Sequence, residues 1–164
     1  QEELILGADY RLLSKDKFKR IFYPLNEKTS FKINKVFREL SRNNLKEKKI
    51  ITTKGRNFTI TNFYSGIIKL YFNELCDNYL GAEDYINIAA VCKHLFIEKV
   101  PIFTDTNSNQ QLRFITLIDI FYEKKIPLTL SLENNLLKLC SSKKHKELFK
   151  RTLSRLNEMT GDFK

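Results

Sequence analysis

The side chains of this sequence best suited to chemistry on an anion are three arginines and one aspartate. Arg151 and Arg155 stand one helical turn apart in Phe149-Lys150-Arg151-Thr152-Leu153-Ser154-Arg155-Leu156-Asn157-Glu158-Met159. They flank an apolar stripe made by Leu148, Phe149, Leu153, Leu156 and Met159. A guanidinium fork matches the oxygens of a phosphate, so one of the pair could reach an anionic ligand at a lobe interface. The same spacing also fits ordinary surface ion pairs, for instance Arg155 with Glu158. Arg113 and Asp119 lie in Leu112-Arg113-Phe114-Ile115-Thr116-Leu117-Ile118-Asp119, where the neighbours are too apolar to leave them fully solvated. Asp119 therefore calls for a buried partner, most naturally an arginine, and spacing leaves open which one.

Other chemistries lack their parts. A phosphate-binding loop needs clustered glycines followed by lysine, so that backbone N–H groups can close around phosphates. Gly7, Gly55, Gly66, Gly81 and Gly161 are isolated and none precedes a lysine. This stretch can build neither that loop nor a dinucleotide fingerprint. A metal would have to use Cys92 and His94 with Cys76 or His145, and no Cys-x-x-Cys or paired-histidine spacing supports it, so no metal site is expected. Nor does either histidine sit in a nucleophile context. His94 reads as a strand residue and His145 as a solvated one.

The elements that would position the arginines follow from periodicity. Glu3 to Leu6 reads as a strand that exits through Gly7-Ala8-Asp9-Tyr10-Arg11, and Lys15 to Arg20 as a loop or short helix. Ser30 can cap a helix from Phe31 to about Asn43, with Phe31, Ile33, Val36, Phe37 and Leu40 as its stripe. Period two at Ile50-Ile51-Thr52-Thr53 and Phe58-Thr59-Ile60-Thr61 flanks Lys54-Gly55-Arg56-Asn57 and predicts a hairpin. Gly66 to Phe72 predicts another strand and Ala82 to Lys93 a helix. His94 to Ile97 is a buried strand stopped by Val100-Pro101. Ser108 to Lys124 is a helix apolar on nearly every side, and Pro127 to Ser131 returns as a strand before a short helix-helix tail. Strand, helix, strand with this crossover is the parallel-sheet unit.

A chain of 164 residues with 42% hydrophobic and 12% aromatic residues supports a packed core. Its net charge of +10 comes mostly from lysines spread along the chain. Such dispersion reflects composition more than a dedicated polyanion site. Three distant cysteines, an odd number, suit a reducing compartment better than a disulfide framework. No apolar run approaches the roughly 20 residues needed to span a bilayer. The only methionine is Met159 and the chain opens on Gln1, which is the expectation for a piece of a longer protein.

At these residues the sequence resembles the C-terminal half of the ZapE-type ATPases, the AAA-like P-loop family that includes the mitochondrial lactation-elevated protein. The matching blocks run in order through Gly7-Ala8-Asp9-Tyr10-Arg11, Lys54-Gly55-Arg56, Phe72-Asn73-Glu74-Leu75-Cys76 and Leu80-Gly81-Ala82-Glu83-Asp84-Tyr85. They continue through Leu95 to Pro101, Arg113 to Asp119 with Tyr122-Glu123, and Arg151 to Met159. Leu112 departs from the family's arginine pair before Phe114, and Thr160-Gly161-Asp162-Phe163 departs from its usual ending.

The resemblance implies an α/β fold: the C-terminal lobe of an AAA-type P-loop ATPase with a β-hairpin insertion and a terminal strand–helix–strand layer. It further implies a single partial domain, with the end of the ATPase core plus a helix over 1–47, the hairpin region over 48–72 and the α/β layer over 73–164. ATP and Mg2+ are the implied cofactors of the full-length protein, held by Walker A and B motifs that this chain lacks, so the chain alone should bind no cofactor and hydrolyse nothing. Arg155, Arg151 or Arg113 could then sense the nucleotide, while Asp119, Asp9 and Arg11 are structural. The implied partners are the missing N-terminal ATPase core, a division-ring or membrane-associated protein and further copies of the chain, with no dedicated nucleic acid. The implied location is cytoplasmic or peripheral at the inner membrane, in cell division or membrane-protein quality control. Two other readings stand beside it: a basic nucleic-acid module using Lys54, Arg56 and the strands from Phe58 to Tyr71, and a non-enzymatic division-ring adaptor.

Overall fold

The computed structural model describes residues 20–161. A six-stranded sheet runs β1-β6-β5-β4-β3-β2, from β1 (Ile21–Phe22) to β2 (Lys46–Thr53). Strands β4 (Ile67–Tyr71), β5 (His94–Val100), β6 (Leu128–Leu132) and β1 are parallel. Strand β3 (Arg56–Tyr64) is antiparallel to both of its neighbours. The expected strand–helix–strand unit is β5, α4 (Ser108–Glu123) and β6. The expected strand at Glu3 to Leu6 lies outside the described residues.

Both faces of the sheet are covered. Helix α1 (Glu27–Ser41) packs Ile33, Val36, Phe37 and Leu40 on one face, against Phe22, Ile67 and Phe96. The other face carries α2 (Phe72–Cys76), α3 (Ala82–Ala90), α4 and α5 (Lys146–Met159). Four rings tie that layer together: Phe103 lies 5.8, 5.7 and 5.3 Å from the ring centroids of Phe72, Phe114 and Phe149. Alternation along the strands divides the two cores. Leu95 and Ile97 of β5 join the larger cluster, and Phe96 joins the smaller one.

Several boundaries differ from expectation. Helix α1 starts at Glu27 because Asn26 accepts from the Thr29 amide at 2.9 Å while the Thr29 hydroxyl accepts from the Asn26 amide at 3.1 Å. This reciprocal cap displaces Ser30 from the role assigned to it. Phe31, expected on the buried stripe, is exposed. Helix α3 stops at Ala90, before Lys93, whose amide donates to the Gly66 carbonyl at 2.7 Å. The hairpin strands are longer than their alternating cores, and their turn is only Lys54-Gly55, both at positive φ. Ser65-Gly66 makes the equivalent turn into β4. A Cβ on Gly66 would stand 2.9 Å from the Lys93 side chain, so close approach as well as φ favours glycine there.

The face under α1 also carries a polar seam. His94 and Thr129 share a hydrogen bond of 2.7 Å, and Lys69 pairs with Glu98 at 3.2 Å and bonds Asn34. Burial and the nearby Arg20 cation hold the His94 imidazole well below its ordinary pKa, so it is neutral in the fold. The unfolded chain takes up a proton as pH falls through about 6.5, whereas the fold does not follow until lower pH. The contribution of His94 is thus fully present above that value and is lost below it. Chemical denaturation at pH 7.5 and 5.5 should show a loss for the native chain exceeding that of His94→Gln by about 1 kcal/mol. Equal losses would refute the neutral-histidine account.

Candidate functional site

Helices α4 and α5 pack side by side and bring the distant arginines and the aspartate together. Asp119 Oδ1 accepts from Arg155 Nη1 at 2.6 Å, and Oδ2 accepts from Arg151 Nη2 at 3.1 Å. Each carboxylate oxygen therefore holds one guanidinium. The Arg155 guanidinium also lies 4.5 Å from the Tyr122 ring centroid, a cation–π contact on a second side. The Tyr122 hydroxyl donates to Glu158 at 2.8 Å, and this bond raises its pKa above the ordinary phenol value. The partner of Glu158 is thus Tyr122, and the ion pair of Arg155 with Glu158 does not form.

The two arginines differ in freedom. The Arg155 side chain is 21% exposed and fixed by acid and ring, whereas Arg151 is 52% exposed and held through one nitrogen. Arg151 keeps guanidinium donors facing solvent. Arg113 stands apart from this cluster: its Nη1 donates to the Cys76 carbonyl at 3.0 Å, satisfying the C-terminal end of α2. Asp9 and Arg11 lie outside the described residues. His145, expected to be solvated, is buried at the start of α5, where its carbonyl accepts from the Phe149 amide at 2.8 Å.

A second feature went unread in the sequence. The carboxyl ends of β5 and β6 open on a cleft of about 460 Å³, lined by Glu98, Lys99, Ser131 and the first turn of α1. Lys99 adopts φ 64° where the β5 to β6 register shifts, and its amide donates to the Ser131 hydroxyl at 2.8 Å. The carboxyl end of a parallel sheet is where ligands of α/β proteins usually sit. The signal was available: Lys69 and Glu98 are charges inside otherwise apolar strands. Among the described residues no group of three or more histidine, cysteine or carboxylate side chains is placed to hold a metal ion. No helix among them is long and apolar enough to cross a membrane. Burial pushes the Cys76 and Cys92 thiols far up, while Cys140 is exposed.

The architecture is that of a mixed α/β domain, consistent with the α/β class of P-loop ATPases, and its arginine clamp sits on the outer helix layer. The chain belongs to the AFG1-like ATPase family, whose family model matches residues 4–163. It is 32% identical over 123 residues to lactation elevated protein 1 homolog B of Danio rerio, covering 73% of this chain and 24% of that protein. It is 26% identical over 156 residues to the cell division protein ZapE of Escherichia coli (strain K12), covering 95% of this chain and 42% of that protein. The chain thus spans less than half the length of these relatives. No solved structure gives a significant match.

The clamp makes a graded prediction. A double-mutant cycle should give a coupling of about 1 kcal/mol between Asp119 and Arg155, and about 0.3 kcal/mol between Asp119 and the more exposed Arg151. Equal couplings in urea denaturation would contradict the assignment of Arg155 as the fixed member.

Proposed function

We propose that this chain is the C-terminal lobe of an ATP-hydrolysing protein, and that Arg151 is the residue of this lobe that faces the nucleotide. Membership of the AFG1-like ATPase family carries the first part. The observation that carries the second is the division of labour at Asp119, which immobilises Arg155 and orients Arg151 through a single bond. A guanidinium held this way keeps its remaining donors available for phosphate oxygens with little further loss of side-chain freedom. Arg155 is then a positioning residue, because it fixes the carboxylate that aims its neighbour. With Mg-ATP bound, a water would attack the γ-phosphorus as its bond to the β-phosphate oxygen breaks and ADP leaves, and the free donors of Arg151 would stabilise the negative charge on the γ-phosphate oxygens. The residues of this lobe fit a phosphate through arginine donors, whereas a phosphate cradle and metal ligands are roles for the rest of the protein.

The biological setting follows the relatives: cell division, by likeness to ZapE, with membrane-protein quality control as the other setting the family resemblance implies. A cytoplasmic protein, peripheral at a membrane in the second setting, suits both. Dedicated nucleic-acid binding fits less well. Lys54 pairs with Glu83 at 3.1 Å, and Arg56 with Asp84 at 2.9 Å and the Tyr79 carbonyl at 2.6 Å, so the cations at the hairpin tip already have partners in the protein.

The test uses the full-length protein. Arg151→Ala should lower kcat for ATP at least about tenfold, with little change in melting temperature, and Arg151→Lys should not restore it. Arg155→Ala should lower both kcat and stability. Unchanged turnover in Arg151→Ala would transfer the role away from this residue, and unchanged turnover in both variants would favour a purely adaptor function for the lobe.

A further inference from the structure

Helix α5 and the preceding loop form a groove of about 400 Å³ that takes no part in the Asp119 clamp. Its apolar walls are Phe149, Leu153 and Leu137. Phe149 and Leu153 belong to the core and its margin, but Leu137 is 88% exposed on a single 3-10 turn (Leu136–Lys138). Lys143, Lys146 and Lys150 rim the groove. Among the described residues the only ion pair these ammonium groups make is Lys150 with Glu147, at 3.2 Å between highly exposed side chains. Lys146 opens a 14-residue helix, where the backbone dipole already presents positive charge, so cations gathered there repel rather than stabilise. An arrangement that is unfavourable to the isolated fold becomes favourable when an anionic partner covers it.

We infer that this groove docks an acidic peptide segment from a partner protein, with apolar side chains of the segment seated on Leu153 and Leu137 above the buried Phe149 ring, and its carboxylates facing Lys143, Lys146 and Lys150. The charge complementarity selects a protein segment of this kind over a second copy of the chain, because a second copy of this surface would bring lysines against lysines. Leu137 supplies the exposed apolar anchor. Cys140 lies on the groove wall and is solvent-exposed, whereas Cys76 and Cys92 are buried, so a single thiol reports on occupancy. The site is independent of whether nucleotide reaches Arg151.

The probe is a fluorescein-labelled synthetic helix with leucines along one face and glutamates elsewhere, titrated against the 164-residue chain by fluorescence anisotropy. Saturable binding is expected. Leu137→Asp and, separately, Lys143→Glu combined with Lys146→Glu should each weaken it about tenfold or more. Leu45→Asp, at an equally exposed leucine far along the chain, should leave it unchanged, and circular dichroism should show every variant folded. The peptide should also slow iodoacetamide labelling of Cys140. The proposal is overturned by absence of binding at millimolar peptide, by equal binding of a version with leucines replaced by serine, which would mark mere polyanion capture, or by unweakened binding to either groove variant. It is equally overturned if the chain ignores the peptide and instead binds phosphatidylserine vesicles through the same lysines, since that would make the surface a membrane contact.

Discussion

The structure depends on a strand that has no solvent side. Six of the seven residues of β5, all but Lys99, are buried, with α1 against one face and α2 to α5 against the other. Strands β4 and β6 complete its two hydrogen-bonding edges. A strand enclosed in this way leaves every polar side chain on it to be satisfied inside the protein. The neutral His94 and the Lys69–Glu98 pair follow from that requirement. So does the division of the molecule into two unequal cores, since one residue of offset along β5 would exchange the faces assigned to Phe96 and to Leu95 and Ile97.

The outer helices inherit their placement from this strand. Because β5 and β6 are parallel, the chain must cross back between them, and α4 is the crossover. Its buried face, with Phe114, Ile115, Leu117, Ile118 and Phe121, is pressed on the sheet, which turns Asp119 and Tyr122 toward α5. Helix α5 then meets them with Arg151 and Arg155, which share one side of the helix by virtue of their spacing. The clamp is a consequence of sheet topology, helix periodicity and one acidic residue. It also explains how two arginines of identical chemistry acquire different freedom: the tyrosine ring covers only one of them.

The hairpin, helix α4 and the parallel crossover were legible from periodicity, because each displays a period maintained over several residues; the apolar residues on nearly every side of α4 do not all go inside, since Leu112 is exposed. The partnership of Asp119 with arginine was legible in kind, from the cost of leaving a carboxylate among apolar neighbours. Its identity was not, since Arg151 and Arg155 are more than thirty positions away and only packing selects them. The sequence offers Ser30 as the cap of a helix from Phe31, because Ser and Asn are comparable caps; the reciprocal bond with Thr29 decides for Asn26. It placed His145 in water because lysines surround it in sequence, though the loop turns the imidazole inward. The cleft at Glu98 and Lys99 is not legible from the apolar pattern, for a related reason: the apolar run His94 to Ile97 marks the strand only up to its first charge, whereas β5 continues through Glu98 and Lys99 to Val100.

The two lateral margins of the described sheet are unlike. Strand β2 is long, but it presents Lys46, Lys48 and Lys49 and breaks register between Glu47 and Lys49. Charge and irregularity of this sort discourage another strand from pairing alongside. At the opposite margin β1 has only two residues, paired in parallel to β6. The sheet is therefore polarised across its width: one flank is finished against neighbours, and lateral continuation of the same parallel order is geometrically compatible with the flank that β1 begins.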